Sequence, residues 1–167
     1  MSNKFYIMSP YVRGRRCRFI RGTLLCNGKK IVTSQQIVDE LNRISYISIS
    51  NLSNVEDMVF DGLLVKNRFI IFDIIPYKNF MNKNYKKKYK DRVNDLAKIS
   101  LGIELLQLTH IEVICWTYFG DSVVELLNSY QNIHTDMVLN LNTEYFHNKF
   151  FVLKQNPKKY PKGQAFK

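Results

Sequence analysis

Cysteine is scarce in this 167-residue chain: Cys17, Cys26 and Cys115 are odd in number and none stands in a C-x-x-C spacing. Neither a disulfide framework nor a zinc site is indicated, and a reducing compartment is the simpler setting. Histidine is equally sparse. Of His110, His134 and His147, the first and last flank strand-like segments, and His134 lies beside Thr135 and Asp136 in a polar stretch where such a pair is usually a surface feature. A base must also reach the proton it takes, so no catalytic dyad is expected. No apolar run approaches the length of a membrane span, and MSNKFYIMSP lacks the basic-then-apolar design of a signal peptide. An intracellular protein without membrane contact is the expectation.

Acidic residues are the last shortage. Fourteen Asp and Glu face 25 Lys and Arg, for a formal net charge of +11. That balance favours a polyanionic partner, although a composition rich in Lys, Asn, Ile and Tyr is also what an A+T-rich genome imposes. Hydrophobic residues make up 46% in short runs, enough for a compact domain core without metal or disulfides.

Phe5 to Met8 and Cys17 to Ile20 read as strands, and Gly22 and Asn27-Gly28 as turns, making Arg16 to Val32 a hairpin or meander. Ser34 stands where a helix cap is wanted, ahead of Gln35 to Ile44 with Ile37, Val38, Leu41 and Ile44 on one face. Ser45 to Asn54 reads as an edge strand or loop. Met58 to Val65 and Arg68 to Ile75 are strands joined at Lys66-Asn67. A long helix is expected from Tyr85 to Leu108, its apolar line being Val93, Leu96, Ile99, Ile103 and Leu106. His110 to Tyr118 is strand-like, Asp121 to Tyr130 a shorter helix, and Asp136 to Leu141 with Lys149 to Leu153 a closing strand pair. The pattern predicts an α+β domain over residues 1–156, built on antiparallel sheets with flanking helices, and a basic tail or linker over 157–167.

Laid in order, the segments SPYVRGRRC, LLCNGKKI, FDGLLV, FIIFDII, YKDRVNDL, TDMVLN and FVLKQN resemble the motifs of the covalent nucleotidyltransferase superfamily. That superfamily holds the ATP-dependent DNA ligases, RNA ligases and mRNA capping guanylyltransferases. The resemblance runs from residue 5 to 156 and leaves no stretch for the OB-fold domain that follows in most members. It implies that the lysine which attacks the nucleotide α-phosphate is replaced here by Tyr11, and the aspartate two residues on by Arg13. Gly14 and Arg16 of that motif remain. The glutamate of D-G-E becomes Leu63 beside Asp61, the next glycine becomes Met137 beside Asp136, and two motif lysines become Asn140 and Asn156. Asp73, Arg92 and Lys154 survive.

A phenol with an ordinary pKa near ~10 and no base beside it in the sequence is no substitute for an amine nucleophile. The resemblance therefore implies an inactive member, with Tyr11, Arg13, Gly14, Arg16, Asp61, Leu63, Asp73, Asp136 and Lys154 lining a degenerate nucleotide pocket and no metal or cofactor. Lys4 or Lys154 is the residue that would have to stand in for the lost lysine if activity survived.

Binding is better provided for. Arg13, Arg15, Arg16, Arg18 and Arg21 lie on or beside one hairpin, where Arg16 and Arg18 share a strand face, and guanidinium forks suit phosphate. Lys83, Lys86, Lys87, Lys88, Lys90 and Arg92 interleave with Tyr85 and Tyr89, the mix of charge and aromatic planes that single strands use. Solvated strand and helix faces are the plainer reading of both. The expectation is a nucleic-acid-binding or scaffolding subunit, working with protein partners in a viral or plasmid replication, transcription or capping complex. The alternatives are a divergent active nucleotidyltransferase and a protein-interaction subunit whose charge is compositional.

Overall fold

A computed structural model of the chain describes residues 5–31, 34–46, 58–131, 136–141 and 150–154. In chain order the elements are β1 (Tyr6–Pro10), β2 (Arg15–Ile20), β3 (Thr23–Cys26), β4 (Lys29–Lys30), α1 (Gln35–Ser45), β5 (Met58–Val65), β6 (Arg68–Pro76) and α2 (Tyr77–Met81). Then follow α3 (Tyr89–Leu105), β7 (Ile111–Val113), β8 (Tyr118–Gly120), α4 (Val123–Gln131), β9 (Met137–Leu141) and β10 (Phe150–Leu153). The fold is mixed α+β with sheets that are mainly antiparallel. No helix among the described residues is long and apolar enough to cross a membrane. The tail over 157–167, the boundary at Asn156, and Lys4, His134 and His147 lie outside the described residues.

The chain divides into two compact units, one of Arg13–Lys87 with Asp91–Ile114, the other of Met1–Val12, Lys88–Lys90 and Cys115–Lys167. The first is built on a six-stranded sheet of order β4-β3-β2-β5-β6-β7. Its hairpins form where the turn residues allow. Arg21 and Gly22 have φ of 45° and 83°, Asn27 and Gly28 of 51° and 75°, the paired positive values that tight hairpins need. β6 is a nearly unbroken buried run from Phe69 to Ile75, as expected of a strand covered on both faces. Asp73 is the one charge within that buried run.

A bulge between Asp61 and Gly62 shifts the register, so that Asp61 faces Asp73 and Gly62 faces Ile71. Gly62 is required there by close approach: a Cβ would stand 2.4 Å from the Ile70 carbonyl oxygen and 2.7 Å from Phe69 Cζ. The glycine of the FDG stretch is thus fixed by packing.

The helices differ from expectation in detail. Ile37, Leu41 and Ile44 of α1 are buried as the pattern predicts, with Val38 at the margin. Ser34 occupies the N-cap position, but its side chain makes no capping hydrogen bond. The long helix starts at Tyr89, not Tyr85, and ends at Leu105. Ahead of it a short helix, α2, stops at a turn where Lys83 takes φ 51° and Asn79 Nδ2 donates to the Asn84 carbonyl at 2.8 Å. β7 pairs with β6 in parallel, an exception to the expected antiparallel pairing. Helical segments α2 and α3 lie between the two strands in sequence, which supplies the crossover that a parallel pair requires.

The second unit carries a four-stranded antiparallel sheet of order β10-β9-β1-β8. Met8, Leu126 and Met137 form its buried centre, with Tyr6, Tyr118, Tyr130, Leu139 and Leu153 packed against them. Met137, which stands where the resembled motif has glycine, is fully buried. Its side chain has become core.

Candidate nucleic-acid interface

The residues expected to line a degenerate pocket fall into two groups, one in each unit. In the first unit β2 alternates faces, and Arg16 and Arg18 share one, as expected. Across the ladder Arg18 stands opposite Asp61, and both arginines close on that carboxylate. Arg16 reaches Asp61 with Nη2 at 2.8 Å and Nε at 3.2 Å, and Arg18 Nε lies at 3.4 Å. The Asp61 side chain is 4% exposed, against 41% for Arg16 and 38% for Arg18. One carboxylate under two guanidinium groups leaves a net positive charge facing solvent.

Aromatic rings flank these cations. Arg16 lies over Phe72 and Arg18 over Phe80, each 5.4 Å from the ring centre, and Arg21 lies 3.7 Å over Tyr77. A cavity of about 170 Å³ opens between Arg16, Arg18, Leu25, Asn27 and Phe80. Its lining combines two guanidinium groups with the apolar side chains of Ile20, Leu25 and Phe80. Phe72 and Phe80 are contributors that the sequence reading missed; Phe80 could have been noticed as an aromatic inside a basic, polar stretch. Arg13 is exposed and has no ion pair among the described residues. Gly14 runs close against β5: a Cβ there would lie 2.8 Å from Val65 Cγ2 and 3.1 Å from Leu63 Cβ. Leu63, which stands where the resembled motif has glutamate, is therefore a packing residue beside that glycine.

Arg92 is placed differently from expectation. Its side chain is 2% exposed, and it grips Asp73 with Nε at 2.7 Å and Nη2 at 3.0 Å while Nη1 donates to the Lys87 carbonyl at 2.6 Å. A buried guanidinium held this way is taken out of the set that could meet phosphate. Tyr89 is 3% exposed, so it offers no ring face to a base, and Tyr85 lies before the helix with Arg92 5.1 Å over its ring. Lys83, Lys86, Lys87 and Lys88 do face solvent. Lys87 pairs with Asp95 at 3.0 Å, and Lys90 lies 4.9 Å over the Phe5 ring.

Burial pushes the Asp73 carboxyl up from the ordinary 3.8 to about 6, against the opposing pull of the Arg92 hydrogen bonds. The folded chain therefore holds more protons than the unfolded chain between about pH 4 and 6. By linkage the Asp73 contribution to stability is fully present below that window and lost as pH rises through 6. The ¹³C carboxyl resonance of Asp73 is expected to titrate near pH 6; a midpoint below 4 would contradict this. Burial likewise raises the Tyr85 phenol, with the Asp73 carboxylate adding to it.

The second unit gathers Tyr11, Asp136 and Lys154. The Tyr11 amide donates to the Asp136 carbonyl at 2.9 Å, Lys154 Nζ pairs with Asp136 Oδ2 at 3.3 Å, and the same nitrogen lies 5.1 Å from the centre of the Tyr11 ring. Lys154 is 7% exposed, and Tyr130 Oη donates to its carbonyl at 3.0 Å. The amine is thus packed against an aromatic face and tied to a carboxylate. His110 serves elsewhere: the Glu40 carboxylate accepts its backbone N–H at 2.9 Å and approaches its Nδ1 at 2.5 Å.

This arrangement of elements is a ligase-like fold. A solved chain described as "Pmar-Lig_Pre." superposes with a TM-score of 0.61 at 16% identity, covering 92% of this chain and 42% of that one. Another, "Pmar-Lig_PreS3", gives 0.61 at 16% over 92% and 43%. A third, described under "DNA binding with a minimal scaffold: Structure-function analysis of Lig E DNA ligases", gives 0.54 at 17% over 90% and 62%. The chain thus spans less than half the length of the first two. No protein-family model and no curated protein matches the sequence.

Proposed function

We propose that this chain is a catalytically inactive, ligase- or capping-type nucleotidyltransferase-like domain that binds nucleic acid as part of a larger assembly. The observation that carries the reading is the charge balance of the β2–β3 hairpin. Arg13, Arg15, Arg16, Arg18 and Arg21 have Asp61 as their one carboxylate partner among the described residues. Four of the five are exposed, and Arg18 is half-buried. A hairpin so unbalanced recruits polyanions and releases their counterions. The rings of Phe80 and Tyr77, which lie under Arg18 and Arg21, hold two of these guanidinium groups in place.

The test is equilibrium binding of fluorescent single-stranded and duplex oligonucleotides at several salt concentrations. Log K is expected to fall with log salt by about 0.9 per phosphate neutralised on duplex DNA and about 0.7 on a single strand. Affinity indifferent to salt, or no binding, would support the protein-interaction subunit in its place.

One observation favours a second reading, a divergent active nucleotidyltransferase. Lys154 Nζ stands 5.1 Å from the ring of Tyr11, the residue that replaces the motif lysine. Its engagement with Asp136 argues against it: a nucleophilic amine needs a lone pair, and an ion-pair partner supplies a charge.

A further inference from the structure

We propose that Cys17 and Cys26 form a reversible dithiol–disulfide site within the β2–β3 hairpin, closed by peroxide and reopened by thiols. The register of the two strands sets Arg18 opposite Leu25, Phe19 opposite Leu24 and Ile20 opposite Thr23. Continuing it by one step puts Cys17 opposite Cys26. Directly opposed residues of an antiparallel ladder have Cα atoms about 4.5–5.5 Å apart, inside the roughly 4.4–6.8 Å that a disulfide accepts. Both side chains are buried, at 1% and 5% exposure.

The surroundings assign each sulfur a part. Arg15 Nε donates to Cys26 Sγ at 2.8 Å, placing a cation against that sulfur. Burial, with Cys26 adding to it, pushes the Cys17 thiol up to about 11, so Cys17 is the poorer initial nucleophile. Cys26 sulfur attacks one oxygen of hydrogen peroxide, the O–O bond breaks, and the departing hydroxide leaves as water with the thiol proton. The Cys26 sulfenic acid that remains is attacked by Cys17 sulfur; the S–O bond breaks and the hydroxyl leaves as a second water with the Cys17 proton. Two thiols and one peroxide become one disulfide and two waters. The pair lies on the face of β2 opposite to Arg16 and Arg18, since strand residues alternate, so closure leaves those arginines in place.

The test uses the full chain with Cys115→Ser, which removes the exposed third thiol. The folded protein is treated with peroxide, denatured, and its free thiols counted and peptides mapped. The expected result is loss of both thiols, a Cys17–Cys26 linked peptide, and full recovery with dithiothreitol. Thiols that stay titratable, separate sulfinic acids, or links between molecules would overturn it. A Cys26→Ser variant supplies a second check, because Cys17 should then resist the same treatment. Equal loss of the Cys17 thiol in that variant would show that the two sulfurs do not act as a pair.

Discussion

Replacing Arg92 with methionine is expected to lower the free energy of unfolding by about 3–5 kcal/mol, read from the midpoint of urea denaturation at pH 7. The Arg92 and Asp73 side chains are 2% and 1% exposed. Removing the guanidinium leaves the Asp73 carboxylate buried with only the Ile74 N–H, at 2.8 Å, among its described hydrogen-bond donors. The loss comes from that stranded group, which must carry its charge unpaired or take up a proton once Arg92 no longer opposes the effect of burial. A second substitution, Asp73→Leu in the Arg92→Met background, should therefore recover most of it, since a packed apolar pair often matches or exceeds a buried ion pair. Arg16→Met supplies the contrast. Its side chain is 41% exposed and Asp61 keeps Arg18, so the change should stay within about 1 kcal/mol. Equal losses at Arg92 and Arg16 would contradict the division into a structural and a solvent-facing cation.

Incubation of the purified protein with α-labelled ATP or GTP and Mg²⁺ or Mn²⁺ is expected to leave no acid-stable label on the chain. Loss of a catalytic nucleophile costs on the order of 10⁶ in rate, and three changes here act in the same direction. By the resemblance Tyr11 takes the place of the nucleophile, and Leu63 packs beside Gly14 where the resembled motif has a carboxylate. Met137 has entered the core. The Lys154 amine, 5.1 Å from the centre of the Tyr11 ring, is engaged with Asp136 at 3.3 Å. A labelled band that disappears in Lys154→Met would establish the second reading and overturn inactivity. A band that persists in that variant would overturn inactivity and assign the nucleophile to another residue.

Much of the fold was legible because local chemistry and global packing agree. Gly22, Asn27 and Gly28 have the positive φ that their residue types suggest, and FIIFDII, bounded by turn residues, is the buried strand its length and branched residues indicate. The short helix α2 was not legible, since five residues show no helical period. Nor was the parallel pairing of β7, which depends on a crossover and not on the three residues themselves. Arg92 sits in a basic run, and although the resemblance marks it as a surviving motif residue, its neighbours place it among the cations expected to meet nucleic acid. The signal that could have separated it was Asp73, a lone carboxylate in an otherwise apolar strand, which must find a buried cation or give up its charge. Tyr89 misled for a similar reason: flanking lysines suggested exposure, while its place on the apolar line of α3 decided burial. The facing of Cys17 and Cys26 was latent in the hairpin itself, because a two-residue turn at Arg21-Gly22 fixes which residues oppose each other.

The central claim is that the exposed arginines of the β2–β3 hairpin hold nucleic acid. It is tested most directly by the salt dependence of duplex binding in the wild type and in the Arg13→Gln, Arg21→Gln double variant, both exposed positions outside the Asp61 and Asp73 pairs. The slope of log K against log salt should become shallower by about 0.9 for each of these arginines that neutralises a phosphate, with weaker binding across all sequences. Unchanged slope and unchanged affinity would contradict the account.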